Sequence, residues 1–167
     1  MSCIIINDAS ALIDLRKGRL LHVILKLPYR FIVPLPVKHS ELLTFTAQEW
    51  QMLVDGGLEI FDLPSERVTE AFQVKRDFPR LSANDCFCLV STSCHEDSLL
   101  LTGDSLLRQV ASDAGLRVHG VLWMIDRLID AGVCQNELLV AALEIWRDDP
   151  SVFLPTKPIS ERLRRLK

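Results

Sequence analysis

The sequence has no long hydrophobic run, no paired cysteine motif and no excess of basic residues. None of its apolar stretches reaches the roughly 20 uncharged residues that a membrane-spanning helix needs. The opening residues, MSCIIINDAS, lack the basic segment and apolar core of a secretory signal. The five cysteines form no CxxC pair, so neither a disulfide framework nor a structural zinc site is indicated. We therefore expect a cytoplasmic protein that does not enter a membrane.

The charge balance is slightly acidic, with 19 Lys and Arg against 22 Asp and Glu and a net charge of −3. This balance argues against indiscriminate binding of polyanions, but it is compatible with a local basic rim around an acidic pocket. The chain has 49% apolar residues over 167 positions, which is enough for one domain with its own core. We predict one domain over residues 1–148, followed by a Pro-punctuated, basic tail or helix over residues 149–167.

Short apolar runs alternate with helical patterns along the chain. Runs such as CIIIND, RFIVP and SLLLTGD suit strands buried on both faces, whereas ASALIDLRKGRLLHVILKL and LPVKHSELLTF predict helices. Strands that are separated by helices need crossover connections, which make a sheet mainly parallel. We predict a three-layer α/β/α sandwich with a central sheet of four or five strands, and ligands outside the carboxyl ends of the strands.

Four acidic residues fall at the boundaries of the predicted elements. Asp8 and Asp104 follow apolar strands, and Glu41 and Asp85 lie at helix starts. If all four met, like-charge repulsion would raise their pKa values unless a cation intervened, and hard divalent ions prefer oxygen ligands. We therefore expect Mg²⁺ or Mn²⁺, which makes bound water a nucleophile and stabilises the oxygens around phosphorus in phosphodiester hydrolysis.

Each of these acids also has a purely structural interpretation. Asp85 completes a capping box with Ser82, and Asp104 is placed to cap the next helix. Glu41 has the pattern of a solvated helix residue. Asp8 is harder to explain in this way, because an unpaired carboxylate at the end of a buried strand is costly.

Four stretches resemble, in order and spacing, the motifs of the PIN-domain family: IIINDASALIDL, HSELL, LSANDCFCL and LLLTGDSLLRQVASDAGL. The resemblance extends from residue 1 to about residue 133. It implies a Mg²⁺- or Mn²⁺-dependent endoribonuclease that hydrolyses RNA, often the toxin of a toxin–antitoxin pair, with an antitoxin protein as partner and frequent homodimers. It also implies that Asp8, Glu41, Asp85 and Asp104 are the catalytic and metal-binding tetrad.

Two further positions match the family, and two features depart from it. Ser10 stands where the family often has a small polar residue after the first acid, and Thr102 matches its TxD pattern. The resemblance implies that both orient a carboxylate or a metal-bound water. The first motif reads NDAS rather than the commoner DTS or DTN, and the next acid after Asp104 is Asp113. Whether one ion or two bind is therefore left open.

Three basic residues lie close to the acids along the chain. Lys38 and His39 precede Glu41, and Arg108 follows Asp104 by one helical turn. They are candidates for contacts with RNA phosphates, although solvated surface positions explain them equally well.

Two other functional classes stay open. One is a catalytically silent PIN-like protein-interaction module, against which the four intact acids count. The other is a phosphoaspartyl hydrolase or receiver-like protein with Asp8 or Asp104 as nucleophile. Residue 10 is Ser, whereas the DxD motif of such a hydrolase has a second Asp at that position.

Overall fold

A computed structural model describes residues 2–167, and Met1, where the predicted domain begins, lies outside the described residues. Five strands form one sheet in the order β3-β2-β1-β4-β5, and every neighbouring pair is parallel. They are β1 (Ile4–Asn7), β2 (Arg30–Pro34), β3 (Glu59–Phe61), β4 (Ser98–Leu101) and β5 (Val118–His119). The predicted parallel sheet is confirmed.

Ten helices surround this sheet within residues 2–167. They are α1 (Ala9–Lys17), α2 (Leu21–Ile24), α3 (Leu35–Ser40), α4 (Ala47–Asp55), α5 (Ser65–Asp77), α6 (Ala83–Ser93), α7 (Ser105–Asp113), α8 (Val121–Ala131), α9 (Asn136–Asp148) and α10 (Thr156–Leu166). Helix α6 packs across β1, β2 and β4 and against α5, while α1 packs against α8 and α9. The result is the predicted three-layer arrangement.

The two central strands, β1 and β4, are buried along their whole length. Ile5, Ile6, Leu100 and Leu101 are almost inaccessible to solvent. A parallel sheet that is covered by helices on both faces needs apolar side chains in both directions, so its strands read as continuous apolar runs rather than alternating ones. This requirement explains why the short runs in the sequence predicted the strands correctly.

The prediction of one long helix after β1 is wrong, because the helix is interrupted at Gly18. Helix α1 ends at Lys17, and Arg19 has a positive φ of 60° before α2 begins. The indole of Trp146 packs on this break: its Nε1 donates to the carbonyl of Asp14 at 2.7 Å. A Cβ at position 18 would lie 3.0 Å from the Trp146 ring. Glycine therefore ends the helix and admits the tryptophan.

Two element boundaries near the acids also differ from those predicted from the sequence. Glu41 is not at a helix start: α3 ends at Ser40, and Glu41 is the residue that caps its C-terminus. Strand β4 ends at Leu101 rather than at Asp104, which instead caps α7. The polar residues Thr102 and Asp104 thus belong to the loop at the carboxyl end of β4, because there the backbone turns from the sheet into a helix.

The C-terminal segment forms a helix that packs against α9. Ile159 and Leu163 of α10 are buried, and Arg162 forms a bidentate ion pair with Asp126 of α8, with N–O distances of 2.9 and 2.7 Å. The division of the chain at residue 149 stays a prediction. No helix within residues 2–167 is long and apolar enough to span a bilayer.

Candidate active site

The first two site positions meet where the strand order of the sheet reverses. From β1 the chain continues to β2 and β3 on one side, whereas β4 and β5 lie on the other. Asn7 is paired with Leu101, so the carboxyl ends of β1 and β4 are level, and the Asp8 N–H donates to the Leu101 carbonyl at 3.2 Å. In open parallel sheets, ligands bind in the crevice at this reversal. Asp8 and Thr102 therefore lie side by side at the position where a ligand is expected.

Asp8 is a buried carboxylate that is held by three hydrogen bonds. Its Oδ1 accepts from the Ala11 N–H at 3.0 Å and from Ser10 Oγ at 2.7 Å, and its Oδ2 accepts from Thr102 Oγ1. Only 4% of the residue is exposed. Burial raises its pKa to about 6, the three hydrogen bonds oppose that rise, and the negative charge of Asp85 adds to it. The site therefore contains a fixed acid whose charge is only partly compensated.

Ser10 and Thr102 connect this acid to the next one. Ser10 Oγ accepts from the Gly103 N–H at 2.9 Å, and Thr102 Oγ1 accepts from the Asp104 N–H at 3.0 Å. Asp104 Oδ1 in turn accepts from the N–H of Leu107 at 2.8 Å, which caps α7. Both hydroxyls thus orient the Asp8 carboxylate and fix the loop of Asp104. Their predicted contact with a metal-bound water stays a prediction.

Asp85 is half-buried in the first turn of α6 and forms both bonds of the predicted capping box. Its N–H donates to Ser82 Oγ at 3.0 Å, and its Oδ2 accepts from the Ser82 N–H at 3.0 Å. Burial raises its pKa, and the charge of Asp104 raises it further. The ammonium of Lys75 fixes the preceding loop by donating to the carbonyls of Pro79 and Leu81, both at 2.7 Å. The predicted capping box is confirmed, and Asp85 Oδ1 accepts no hydrogen bond within residues 2–167.

Glu41 lies at the end of α3, close to the start of α6. The Asn84 amide donates to Ser40 Oγ at 2.6 Å and so ties the two helices together. Although the Glu41 residue is exposed, its neighbours partly desolvate the carboxylate, which raises its pKa. The charge of Asp85 raises it too, whereas the Asn84 amide lowers it. Glu41 is thus brought to Asp85 by a contact between helices that no local pattern specifies.

The four predicted acids are grouped around Asp85. Its charge raises the pKa of Asp8 and of Glu41, and its own pKa is raised by Asp104. The buried thiol of Cys88 has a pKa raised well above its usual value, first by burial and then by Asp8, Asp85 and Glu41. None of the ion pairs within residues 2–167 includes any of these four carboxylates. The structure therefore brings together the charges that the sequence singled out.

The grouping is looser than a finished metal centre. Within the described part of the chain, no three His, Cys, Asp or Glu side chains are close enough to hold a metal ion. Like charges repel when no cation separates them, and Asp8, Asp85 and Asp104 each turn one oxygen toward a backbone N–H. The donor chemistry nevertheless fits a hard divalent cation, since all four donors are carboxylates and none of them is in an ion pair within residues 2–167. The charge of Lys75 lowers the pKa of Asp85 but forms no ion pair with it.

The three basic candidates have different surroundings. The Lys38 ammonium lies 5.1 Å from the centre of the Trp50 ring, in cation–π geometry. His39 is exposed. Arg108 passes so close to Gly120 that a Cβ there would be 3.2 Å from its Nη1. Their contacts with RNA stay predictions.

Two polar residues near the site were missed in the sequence. Asn7 is fully buried: its amide donates to the carbonyls of Ile5 and Ile32 at 3.3 and 3.1 Å, and its Oδ1 has no hydrogen-bond partner within residues 2–167. Asp14 lies on α1 one turn after Ser10, and burial raises its pKa to about 6. Asn7 is the polar residue that ends the apolar run of β1, and Asp14 is a single acid between Ile13 and Leu15. These two signals could have identified the positions.

One comparison with known proteins agrees with the predicted family. A family model described as PIN domain matches residues 4–167. None of the curated proteins matches the chain. Among solved structures, the chain is similar to a PilT N-terminus domain protein from the archaeon Sulfolobus solfataricus P2, with 15% identity and a TM-score of 0.49 over 84% of this chain and 94% of that one. PIN domains are usually nucleases and generally use divalent metals. The family model spans almost the whole sequence, and the chain therefore belongs to the PIN-domain family.

Proposed function

We propose that the protein is a metal-dependent endoribonuclease that hydrolyses phosphodiester bonds of RNA at the acidic group around Asp85. One observation carries the proposal: Asp8, Glu41, Asp85 and Asp104 are electrostatically coupled and have no ion-pair partner within residues 2–167. Acids that lie close together and outside any ion pair are costly to the fold, and a site that binds a cation gives a reason for keeping them.

The four acids would hold Mg²⁺ or Mn²⁺, which when bound supplies an activated water and charge stabilisation at phosphorus. Asp8 is the fixed member of the group, because its orientation is set by Ser10 and Thr102. Asp85 and Asp104 each use one oxygen to cap a helix and keep the other free of hydrogen bonds within the described residues. Neutralising the group would lower the pKa of Asp8 and keep it ionised at neutral pH.

A nuclease assay tests the proposal directly. We expect cleavage of end-labelled single-stranded RNA, and of a circular RNA without ends, in Mg²⁺ or Mn²⁺. Excess EDTA should stop this cleavage, and added Mn²⁺ should restore it. Asp8→Asn and Asp85→Asn should each abolish cleavage with circular dichroism unchanged, since both substitutions keep the size of the side chain and one oxygen that can accept the helix-capping hydrogen bond.

The matched control is Asp97→Asn, because this exposed acid is paired with Arg117 and lies away from the group. Proteins prepared identically should then differ only at the coupled acids, which excludes a contaminating ribonuclease. Full activity in either Asp8→Asn or Asp85→Asn, or undiminished activity in EDTA, would contradict the proposal.

A catalytically silent interaction module is the second candidate. The observation that favours it is the absence, within residues 2–167, of three ligands already in place for a metal. A chain that cleaves neither linear nor circular RNA and gains no thermal stability from Mn²⁺ would support this alternative. The toxin role, the antitoxin partner and the homodimer stay predictions from the resemblance.

A further inference from the structure

A loop beside the acidic group displays a nearly bare aromatic ring. Residues 149–155 connect α9 to α10. Phe153 is 89% exposed, whereas Val152 before it is buried and Leu154 after it is half-buried against the core. The two neighbours anchor the backbone, so the ring is held outward. Single exposed apolar residues are common on proteins, and it is the location of this ring that makes it informative.

The loop is tied to α1 by polar contacts. Lys17 Nζ donates to Ser151 Oγ at 2.6 Å. Asp149 Oδ1 accepts from both the N–H and the Oγ of Ser151, at 2.8 and 2.5 Å. These bonds place the loop against the same helix that begins at Asp8. The ring of Phe153 therefore has a defined position relative to the candidate active site.

Phe153 and Asp104, one member of the acidic group, border one hollow of about 320 Å³. Its walls include Ser10 and Asp104 of the candidate site, Asp14 and Lys17 of α1, and the ring of Phe153. Gly103 forms part of the floor, where a Cβ would lie 3.5 Å from Ser10 Oγ. An aromatic face, an ammonium group and a proposed metal ligand thus meet in one concave surface.

This combination fits one nucleotide of a single strand better than an apolar protein side chain. Ile13 and the Phe153 ring give the hollow apolar surface, which charged and hydroxyl side chains such as Asp14, Lys17 and Ser151 interrupt, whereas a protein partner would call for a continuous apolar patch. Nucleobases stack on exposed aromatic side chains, and lysines nearby neutralise the backbone. The acidic walls would face the sugar and base edges, which carry hydrogen-bond donors.

We propose that this hollow is a nucleotide subsite next to the cleavage point, in which Phe153 stacks on an unpaired base of the RNA and Lys17 faces the adjoining phosphate. The inference rests on the proposed ribonuclease function, because it takes single-stranded RNA as the ligand. The subsite determines which nucleotide beside the scissile bond is bound.

Binding measured without cleavage tests the subsite. In EDTA, we expect the anisotropy of a labelled single-stranded RNA to show that Phe153→Ala weakens affinity by about 5- to 160-fold, since stacking on an aromatic side chain contributes about 1–3 kcal/mol per base. Phe153→Trp should retain affinity, and its added fluorescence should be quenched by RNA. The matched control is Phe72→Ala, which removes another exposed ring, on α5, and should leave affinity unchanged.

Abasic RNAs connect the ring to a particular base. At one position, removal of the base should weaken wild-type binding as much as Phe153→Ala does, and should weaken the variant no further. Wild-type affinity in Phe153→Ala, or additive losses at every abasic position, would overturn the subsite. If Phe153→Ala instead loses a protein partner while RNA binding is intact, the ring belongs to a protein interface and the proposal is wrong. Cleavage by the wild type is measured in a separate assay, so the ribonuclease function and the subsite can each be contradicted independently.

Discussion

The carboxylates of this protein fall into two groups that the fold treats in opposite ways. On the outer surface, Glu49 accepts two hydrogen bonds from Arg16, both at 2.8 Å, and Glu59 accepts two from Arg30, at 3.0 and 2.8 Å. Both glutamates have lowered pKa values, because an arginine stabilises the charged form. At the carboxyl edge of the sheet, by contrast, burial and like charges raise the pKa values of Asp8, Glu41 and Asp85.

This difference separates acids that stabilise the fold from acids that destabilise it. The exposed pairs contribute little each, since solvent screens them. The group at the sheet edge costs stability, because its charges are desolvated and none of them is in an ion pair within residues 2–167. The proposed cation site would account for a group of this kind.

The largest expected effect is the pH dependence of stability at Asp8. Its pKa is about 6 in the folded state and about 3.9 in an unfolded chain. The folded state therefore holds this proton more tightly, so the stabilising contribution is complete below about pH 4 and is lost as the pH rises through about 6. In EDTA, we expect the free energy of unfolding of the wild type to fall, relative to Asp8→Asn, by about 3 kcal/mol between pH 3 and pH 7.

Urea denaturation of both proteins across this pH range measures the difference. Glu59→Gln is the contrasting control, because Glu59 has a lowered pKa and its small stabilisation is present above its unfolded pKa and lost as the pH falls. If the free energy of unfolding depends on pH in the same way in the wild type and in Asp8→Asn, burial does not raise the pKa of Asp8 as expected.

Next in size is stabilisation by a divalent ion. If Mn²⁺ binds the acidic group only in the folded state, a concentration 100 times its Kd should stabilise the wild type by about 2.7 kcal/mol. Thermal unfolding at neutral pH, with and without Mn²⁺, measures this gain. Asp85→Asn should lose most of it, because Asp85 lies at the centre of the coupled charges, whereas Asp97→Asn should keep it. Equal gains in both variants would place the ion elsewhere.

The smallest of the three effects concerns two buried threonines. Thr102 Oγ1 donates to Asp8, and Thr92 Oγ1 donates to the Cys88 carbonyl at 2.8 Å inside α6. Thr102→Val should cost about 1–3 kcal/mol at neutral pH by leaving Asp8 short of a donor, and should reduce RNA cleavage. Thr92→Val should cost less, since its carbonyl partner lies within a helix, and should leave cleavage unchanged. Chemical denaturation and the nuclease assay compare them, and matching losses of activity would exclude a special role for Thr102.

The predictions from sequence were most accurate where local chemistry decides the structure. The apolar runs predicted the parallel sheet, and the capping box at Ser82 forms as predicted. The predictions were less accurate at Gly18, where a helix was expected to continue. The end of that helix depends on packing against Trp146, which lies more than a hundred residues away in the sequence. Glu41 was misplaced for a similar reason, since the contact between α3 and α6 through Ser40 and Asn84 decides its surroundings.

The sequence by itself determined the order of strands and helices, the family and the identity of the four acids, since these depend on patterns of neighbouring residues. Only the tertiary structure decided that the charge of Asp85 acts on Asp8 and Glu41, and that none of the four acids is in an ion pair within residues 2–167. It also decided that no three possible metal ligands within these residues are close enough to hold an ion. Finally, it placed Phe153 and Asp104 at the same hollow. The physical reason is that burial and charge coupling arise between elements distant in the chain, and their strength depends on packing that no local pattern records.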